Sequence, residues 1–330
     1  MRRIGAIAAA LALLILLPGA EAPAQRREDV LLTLDWAVFG RHAGFFTALE
    51  KGFYRDEGLN VTISRGFGSL DTVKRIAAGR GDYGFADAGT LIGARAREGM
   101  RAKALAVIYS RAPHSFFFFE EAGIRSPKDL EGKTVAAAAG DANRAMFPAF
   151  AKATGIDPGK VNWLVIEAAA KTPMLLSGQA QIITEYRMHK ALLDKMARGR
   201  KVLAMTYSDH GLDFYSQAII AHDNTVAQKP DLSARFVRAS LKGYAYAFDH
   251  ADEGAEILKK HHREIDAEVA RTEIVITKEL AWSEEAQRNG LGYMDPAKMT
   301  RSRDLILEAY NIRAQIPVDD LYTNRFVPRR

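Results

Sequence analysis

The 330-residue chain contains no cysteine, which excludes disulfides, thiolate zinc sites, iron–sulfur clusters and a cysteine nucleophile. It also lacks a Walker loop, a Gly-x-Ser-x-Gly elbow and a His-Glu-x-x-His helix, the signatures of phosphate-loop nucleotide binding, serine hydrolysis and zinc proteolysis. His42, His114 and His189 have no metal-ligand spacing, and His261-His262 followed by Arg263-Glu264 reads as a solvated helix end. No metal and no cofactor are therefore expected. There is no run of five like charges: the net charge of +6 is spread among 46 basic and 40 acidic residues, so a nucleic-acid partner is not expected. What remains, 48% apolar and 26% charged residues, is an ordinary globular composition that excludes disorder and fibres, at a length that suggests about two domains.

Only the N-terminus carries a long apolar run. Met1-Arg2-Arg3 precedes the apolar stretch Ile4 to Pro18, and Gly19-Ala20-Glu21-Ala22-Pro23-Ala24-Gln25 follows it. About 15 apolar residues are fewer than the roughly 20 of a membrane span, and the small residues suit cleavage after Ala22 or Ala24. Residues 1–24 therefore read as a secretory signal peptide. With no cysteine beyond it there is no thiol for a lipid anchor, so the expected address is a bacterial periplasm.

Beyond residue 25 short apolar strands alternate with amphipathic helices, the pattern of parallel α/β packing. Strands are predicted at Val30–Leu34, Val61–Ile63, Gly84–Ala86, Ala104–Tyr109 and Phe116–Phe119, with helices over Ala43–Lys51, Ser69–Ala78 (Ser69 as N-cap) and Leu91–Arg97. The alternation then restarts, with strands at Thr134–Ala138, Val161–Ile166, Gln181–Thr184 and Lys201–Met205 around helices at Ala142–Thr154 and Thr172–Ser177. Tyr215–Ala221 is a returning strand. Lys229–Lys260 is helical, with Leu232, Phe236, Ala239, Gly243, Tyr244 and Phe248 on one face, and further helices are predicted near Ala267–Thr272 and Pro296–Tyr310. The four consecutive phenylalanines read as a strand buried on both faces. No internal repeat or flexible linker is visible. Two such units imply lobes around a cleft, and ligands of open α/β sheets lie beyond the carboxyl ends of the strands, at the loops Asp35–Arg41, Ala86–Thr90 and Gly140–Arg144.

Several motifs carry a resemblance to a known family. Leu34-Asp35-Trp36, His42-Ala43-Gly44-Phe45-Phe46, Glu50-Lys51-Gly52-Phe53-Tyr54 and Asp56-Glu57-Gly58-Leu59-Asn60-Val61 resemble the opening of periplasmic binding proteins of the nitrate/sulfonate/taurine and thiamine-pyrimidine type. Gly79-Arg80-Gly81-Asp82-Tyr83-Gly84, Asp129-Leu130-Glu131-Gly132-Lys133-Thr134-Val135 and the tail Asp320–Phe326 are similar to further motifs of that family. The resemblance implies a two-lobed periplasmic binding protein (type II), with lobe 1 built from residues 25–117 plus 215–330 and lobe 2 from 118–214. Such a protein, a monomer, closes about hinges near Phe116–Phe119 and Phe214–Gln217 and delivers a small molecule to the permease of an ABC importer.

The resemblance also implies ligand-binding residues. Trp36 stands where the family places an aromatic wall, and a flat indole offers stacking and a cation–π face. Asp35 is either an acceptor for a ligand amine or the cap of the next turn. His42 matches a family position, as ring partner or packing residue. The pyrimidine pattern has amides near Trp36 where this chain has Val38, Phe39 and Arg41. Arg41 suits a carboxylate or sulfonate, and Arg187, beside Glu185 and Tyr186 in lobe 2, does the same. Ala86 and Thr90 belong to the second of the three loops. Asn143 follows Gly140-Asp141 at a helix N-terminus, whose free N–H groups attract anions. The implied ligand is a thiamine pyrimidine precursor such as a formylaminopyrimidine, the alternative being an aromatic carboxylate, sulfonate, taurine or nitrate.

An enzyme reading comes from the thiamine-pyrimidine synthases, which share this opening. That family implies a lysine for pyridoxal phosphate, a consumed histidine and a cysteine-rich iron motif. Ala86 and Thr90 stand at the lysine and histidine positions and the chain has no cysteine, so no catalytic residue is assigned and the chain is read as a non-enzyme.

Overall fold

The structure, a computed structural model, describes residues 27–329, and the expected signal peptide lies outside them. Strand β1 (Glu28–Thr33) leads into helices α1 (Ala43–Glu50) and α2 (Phe53–Asp56), then β2 (Leu59–Ser64), α3 (Ser69–Ala77), β3 (Tyr83–Asp87), α4 (Ala88–Glu98) and β4 (Ala102–Val107). The turn between α1 and α2 rests on Gly52, whose φ of 77° is the left-handed conformation glycine adopts without a Cβ clash. Asp82 ties the next crossover to the sheet by accepting the Leu31 N–H at 2.8 Å.

The second unit holds β5 (His114–Phe119), β6 (Thr134–Ala137), α5 (Ala142–Thr154), β7 (Asn162–Val165), α6 (Lys171–Ser177), β8 (Ile182–Tyr186), α7 (Lys190–Met196) and β9 (Val202–Thr206). The chain returns through β10 (Gln217–His222) and ends in α8 (Asp223–Gln228), α9 (Pro230–Asp249), α10 (Ala251–His261), α11 (Ala267–Ala281), α12 (Glu284–Asn289) and α13 (Pro296–Ala309).

The two sheets share one plan. The first runs β2-β1-β3-β10-β4 and the second β7-β6-β8-β5-β9. In each, four of the five strands run in one direction, and the one fourth in this order, which has just crossed from the other lobe, is antiparallel to both neighbours. A chain arriving from the cleft side must run against strands whose carboxyl ends face the cleft, so the crossing dictates the direction. The tail covers the outer edge of β4 through the Ala104–Tyr322 bridge, removing an open strand edge.

Strand β5 corrects the expected lobe boundary. It pairs with β8 and β9 from His114 onward, so the first crossing is at Ser110–Pro113 and residues 114–117 belong to lobe 2. Phe116–Phe119 is therefore interior sheet, not hinge: Phe116 and Phe118 pack into one apolar cluster, Phe117 and Phe119 into the other. The two crossings are laced together by the Tyr109 N–H to Gln217 carbonyl bond and the Ser216 N–H to Tyr109 carbonyl bond, both 3.1 Å. Ser69 also differs from expectation, since Gly68 takes the N-cap position of α3 and the Ser69 hydroxyl accepts the Asp87 N–H.

Candidate functional site

Strands β1, β3, β6 and β8 all direct their carboxyl ends into the cleft between the lobes. From β1 the chain enters a loop pinned by the Gly68 N–H on the Asp35 carbonyl (2.7 Å) and the Thr72 hydroxyl on the Leu34 carbonyl (2.8 Å). Beyond β6 lies Asp141, and β8 ends in Glu185 and Tyr186. The cavity they enclose is lined by Asp35, Trp36, Arg41 and Ser69 of lobe 1 and by Asp141, Ala142, Asn143, Lys171, Glu185 and Tyr186 of lobe 2. The lobes lie close together, leaving a free volume of about 20 Å³.

On the lobe 1 side a buried relay fixes the chemistry. His42 Nδ1 accepts the Phe39 N–H, so the neutral ring carries its proton on Nε2 and donates it to Asp35 Oδ1 at 2.7 Å. The Arg41 guanidinium donates to Asp35 Oδ2 at 3.3 Å. Burial opposes ionisation of Asp35, but Arg41 and then the His42 N–H overcome it and hold the carboxyl below its usual range. Burial, reinforced by Arg41, pushes His42 down to about 4, which keeps it neutral. Arg41 is itself sandwiched, 5.0 Å from the Phe39 ring and 5.4 Å from the Tyr186 ring. Its Nε and Nη1, like the Tyr186 hydroxyl, are buried without a hydrogen-bond partner.

Lobe 2 answers with a buried cation. Lys171, 1% exposed, donates to Asp141 Oδ2 at 2.8 Å and to the Thr184 carbonyl at 2.6 Å, and pairs with Glu185 Oε1 at 2.8 Å. Burial works against its charge, yet Asp141 and Glu185 raise its pKa above the ordinary value. Asp141 is also the N-cap of α5, accepting the Asn143 N–H at 2.9 Å and the Asn143 amide at 2.8 Å, while Asn143 Oδ1 accepts the Ser115 N–H. The positive end of α5 is thus already met by the helix's own carboxylate.

The structure brings Asp35, Trp36, Arg41, Asn143, Glu185 and Tyr186 together at the cavity, and sets His42 directly behind Asp35. Three expected residues are placed elsewhere. Ala86 is buried in β3 opposite Ala218. Thr90 lies in the first turn of α4, its N–H and hydroxyl both donating to the Oδ1 of the N-cap Asp87 at 2.6 and 2.9 Å. Arg187 turns away where β8 ends, and its half-exposed guanidinium pairs with Glu279 of α11 at 3.0 Å. Sequence reasoning missed Ser69 and Lys171, and included Asp141 and Ala142 only as part of the helix-start turn in the loop Gly140–Arg144. Lys171 follows three alanines and no motif marks it. Among the described residues no group of three or more His, Asp or Glu side chains is placed to hold a metal ion, and no helix is long and apolar enough to cross a membrane.

Two α/β lobes, two adjacent crossings and a cleft lined from both sides define the fold of the periplasmic binding proteins. Residues 40–254 match the family described as NMT1/THI5 like, and the chain belongs to it. Among relatives, the riboflavin-binding protein RibY of Chloroflexus aurantiacus is 26% identical over 91% of this chain and 86% of its own length. The formylaminopyrimidine-binding protein of Halalkalibacterium halodurans is 26% identical over 70% of each chain. A 4-amino-5-hydroxymethyl-2-methylpyrimidine phosphate synthase of Legionella pneumophila is 23% identical over 92% of this chain and 93% of its own. Among solved structures, the alkanesulfonate-binding protein SsuA of Xanthomonas axonopodis pv. citri superposes with a TM-score of 0.70, at 11% identity, over 89% of this chain and 98% of that one.

Proposed function

We propose that this chain is the periplasmic solute-binding component of an ABC importer and that its ligand is an uncharged, planar, nitrogen-rich ring, with a thiamine pyrimidine precursor of the formylaminopyrimidine kind as the leading candidate. The observation that carries this reading is the charge balance of the cleft. Its two cations, Arg41 and Lys171, face three carboxylates, Asp35, Asp141 and Glu185; Arg41 already pairs with Asp35, and Lys171 with both Asp141 and Glu185. A carboxylate or sulfonate would meet net negative charge there, and Arg187, which would complete an anion clamp, is outside. A neutral ring, by contrast, finds the aromatic faces of Trp36 and Tyr186, free donors on Arg41 and a free hydroxyl on Tyr186. The names of two relatives, one binding a formylaminopyrimidine and one riboflavin, point to the same class of ring.

Binding rather than synthesis is supported by Ala86 at the synthases' lysine position and by the absence of any cysteine for an iron motif. Lys171 is the cleft lysine, and its ammonium is engaged by two carboxylates and a carbonyl. The test is a thermal-shift series on the purified chain with a formylaminopyrimidine, riboflavin, benzoate, taurine, an alkanesulfonate and nitrate. A ligand that binds only the folded state raises the melting temperature. Stabilisation by the pyrimidine supports the reading, stabilisation by riboflavin alone moves the assignment to flavins, and stabilisation by an anion alone overturns the charge argument.

A further inference from the structure

Lys171 Nζ lies 4.7 Å from the centre of the Trp36 ring, across the cleft from its own helix α6. Its three acceptors, Asp141 Oδ2, Glu185 Oε1 and the Thr184 carbonyl, match the three N–H bonds of an ammonium. Take the lysine away and the remaining groups are an indole face, two buried carboxylates and a carbonyl, the arrangement that recognises organic cations. We propose that Lys171 is a specificity-determining residue, an internal cation seated on Trp36 between Asp141 and Glu185 that excludes positively charged solutes from the cleft.

The inference rests on the cleft being the solute site and adds what the charge balance alone does not, which ligands are refused. With the position on Trp36 filled, a quaternary or protonated amine would have to displace a covalently tethered competitor. An uncharged ring has no such contest. The effect separates a neutral pyrimidine from the same pyrimidine joined to a cationic group, as in thiamine with its thiazolium.

Lys171→Ala opens the position and leaves two buried carboxylates without their partner, which lowers the melting temperature. Ethylammonium chloride, which replaces the missing end of the side chain, should restore part of that loss where sodium chloride at equal ionic strength does not, and should leave the wild-type melting temperature unchanged. Thiamine should bind Lys171→Ala about tenfold or more tighter than wild type, the equivalent of one desolvated cation–π contact. A folded Lys171→Ala that responds to neither ethylammonium nor thiamine overturns the proposal. Should that variant fail to fold, Lys171→Gln, one atom shorter and with two N–H donors in place of three, removes the charge while keeping part of the packing, and thiamine should bind it more tightly than wild type; unchanged thiamine affinity would overturn the proposal. Wild-type chain that binds thiamine as tightly as it binds the formylaminopyrimidine overturns the proposal without any variant. The ammonium response does not involve a neutral ring, so a chain that ignores every pyrimidine overturns the functional reading alone.

Discussion

Lys171 of lobe 2 holds its ammonium 4.7 Å from the Trp36 ring of lobe 1, and Arg41 of lobe 1 holds its guanidinium 5.4 Å from the Tyr186 ring of lobe 2. The two contacts are reciprocal: each lobe lends a cation to an aromatic ring of the other. Both form only when the lobes approach, so the same four side chains that wall the cleft also favour its closed form.

Trp36→Ala removes the broadest aromatic surface of the cleft. Binding of the formylaminopyrimidine should weaken by about 1–3 kcal/mol, the range for losing one stacked base. Isothermal calorimetry measures it, and unchanged affinity would take Trp36 out of the site.

Asp35→Asn leaves Arg41 buried beside a neutral amide. Removing one partner of a buried ion pair costs about 3–5 kcal/mol, and the urea midpoint should fall accordingly. A loss below about 1 kcal/mol, the size of an exposed pair, would mean that other groups compensate Arg41.

Glu273 of α11 and His42 give opposite pH dependences. Glu273, 1% exposed, accepts the Gly40 N–H at 2.6 Å. Burial pushes its carboxyl up to about 7, with Arg41 and the Gly40 N–H opposing and Glu185 assisting. The folded chain thus keeps a proton that the unfolded chain loses above 4.5, so stability falls as pH rises from 4.5 to about 7. His42 stays neutral in the fold down to about 4 while the unfolded chain takes a proton below 6.5, so stability falls as pH drops through that window. Between 4.5 and 6.5 the two slopes oppose each other. Glu273→Gln removes the first, and relative to wild type it should gain about 1–3 kcal/mol on going from pH 4.5 to pH 8. Urea titrations at the two pH values check it, and an equal difference at both would sink the assignment.

Gly68 sits on the lobe interface with a φ of 126°, and a Cβ there would collide with the backbone of Gly140 across the cleft. Gly68→Ala should hold the lobes apart. With saturating ligand the radius of gyration from small-angle scattering should exceed the wild-type value and affinity should drop. Wild-type radius and affinity would show that this glycine pair does not limit closure.

Most elements were legible in the sequence because local rules govern them. Helix α5 matches its expected bounds, 142–154, since Asp141 caps one end and Gly155, left-handed, the other. The helical reading of 229–260 missed the break at His250 between α9 and α10, where neither proline nor glycine marks the chain. The short helices α7 and α12 have too few turns to show a periodicity. The boundary at β5 was misplaced because an all-apolar strand looks the same in either sheet, and only its pairing with β8 and β9 assigns it.

The site divides along the same line. The sequence by itself determined the α/β alternation and the loop Asp35–Arg41 after its first strand, both set by spacing within a few residues, while the acidic-aromatic pair Glu185-Tyr186 was legible only through the resemblance to family motifs. Tertiary structure decided the charge. Arg187, adjacent to Tyr186, leaves the cleft because the chain turns out of β8, while Lys171 enters it from a segment with no motif. Burial then forces each cation in the cleft onto a carboxylate, Asp35 for Arg41, Asp141 and Glu185 for Lys171, because an unpaired charge cannot be held away from water. Those pairings join residues far apart in the chain, and no local pattern encodes them.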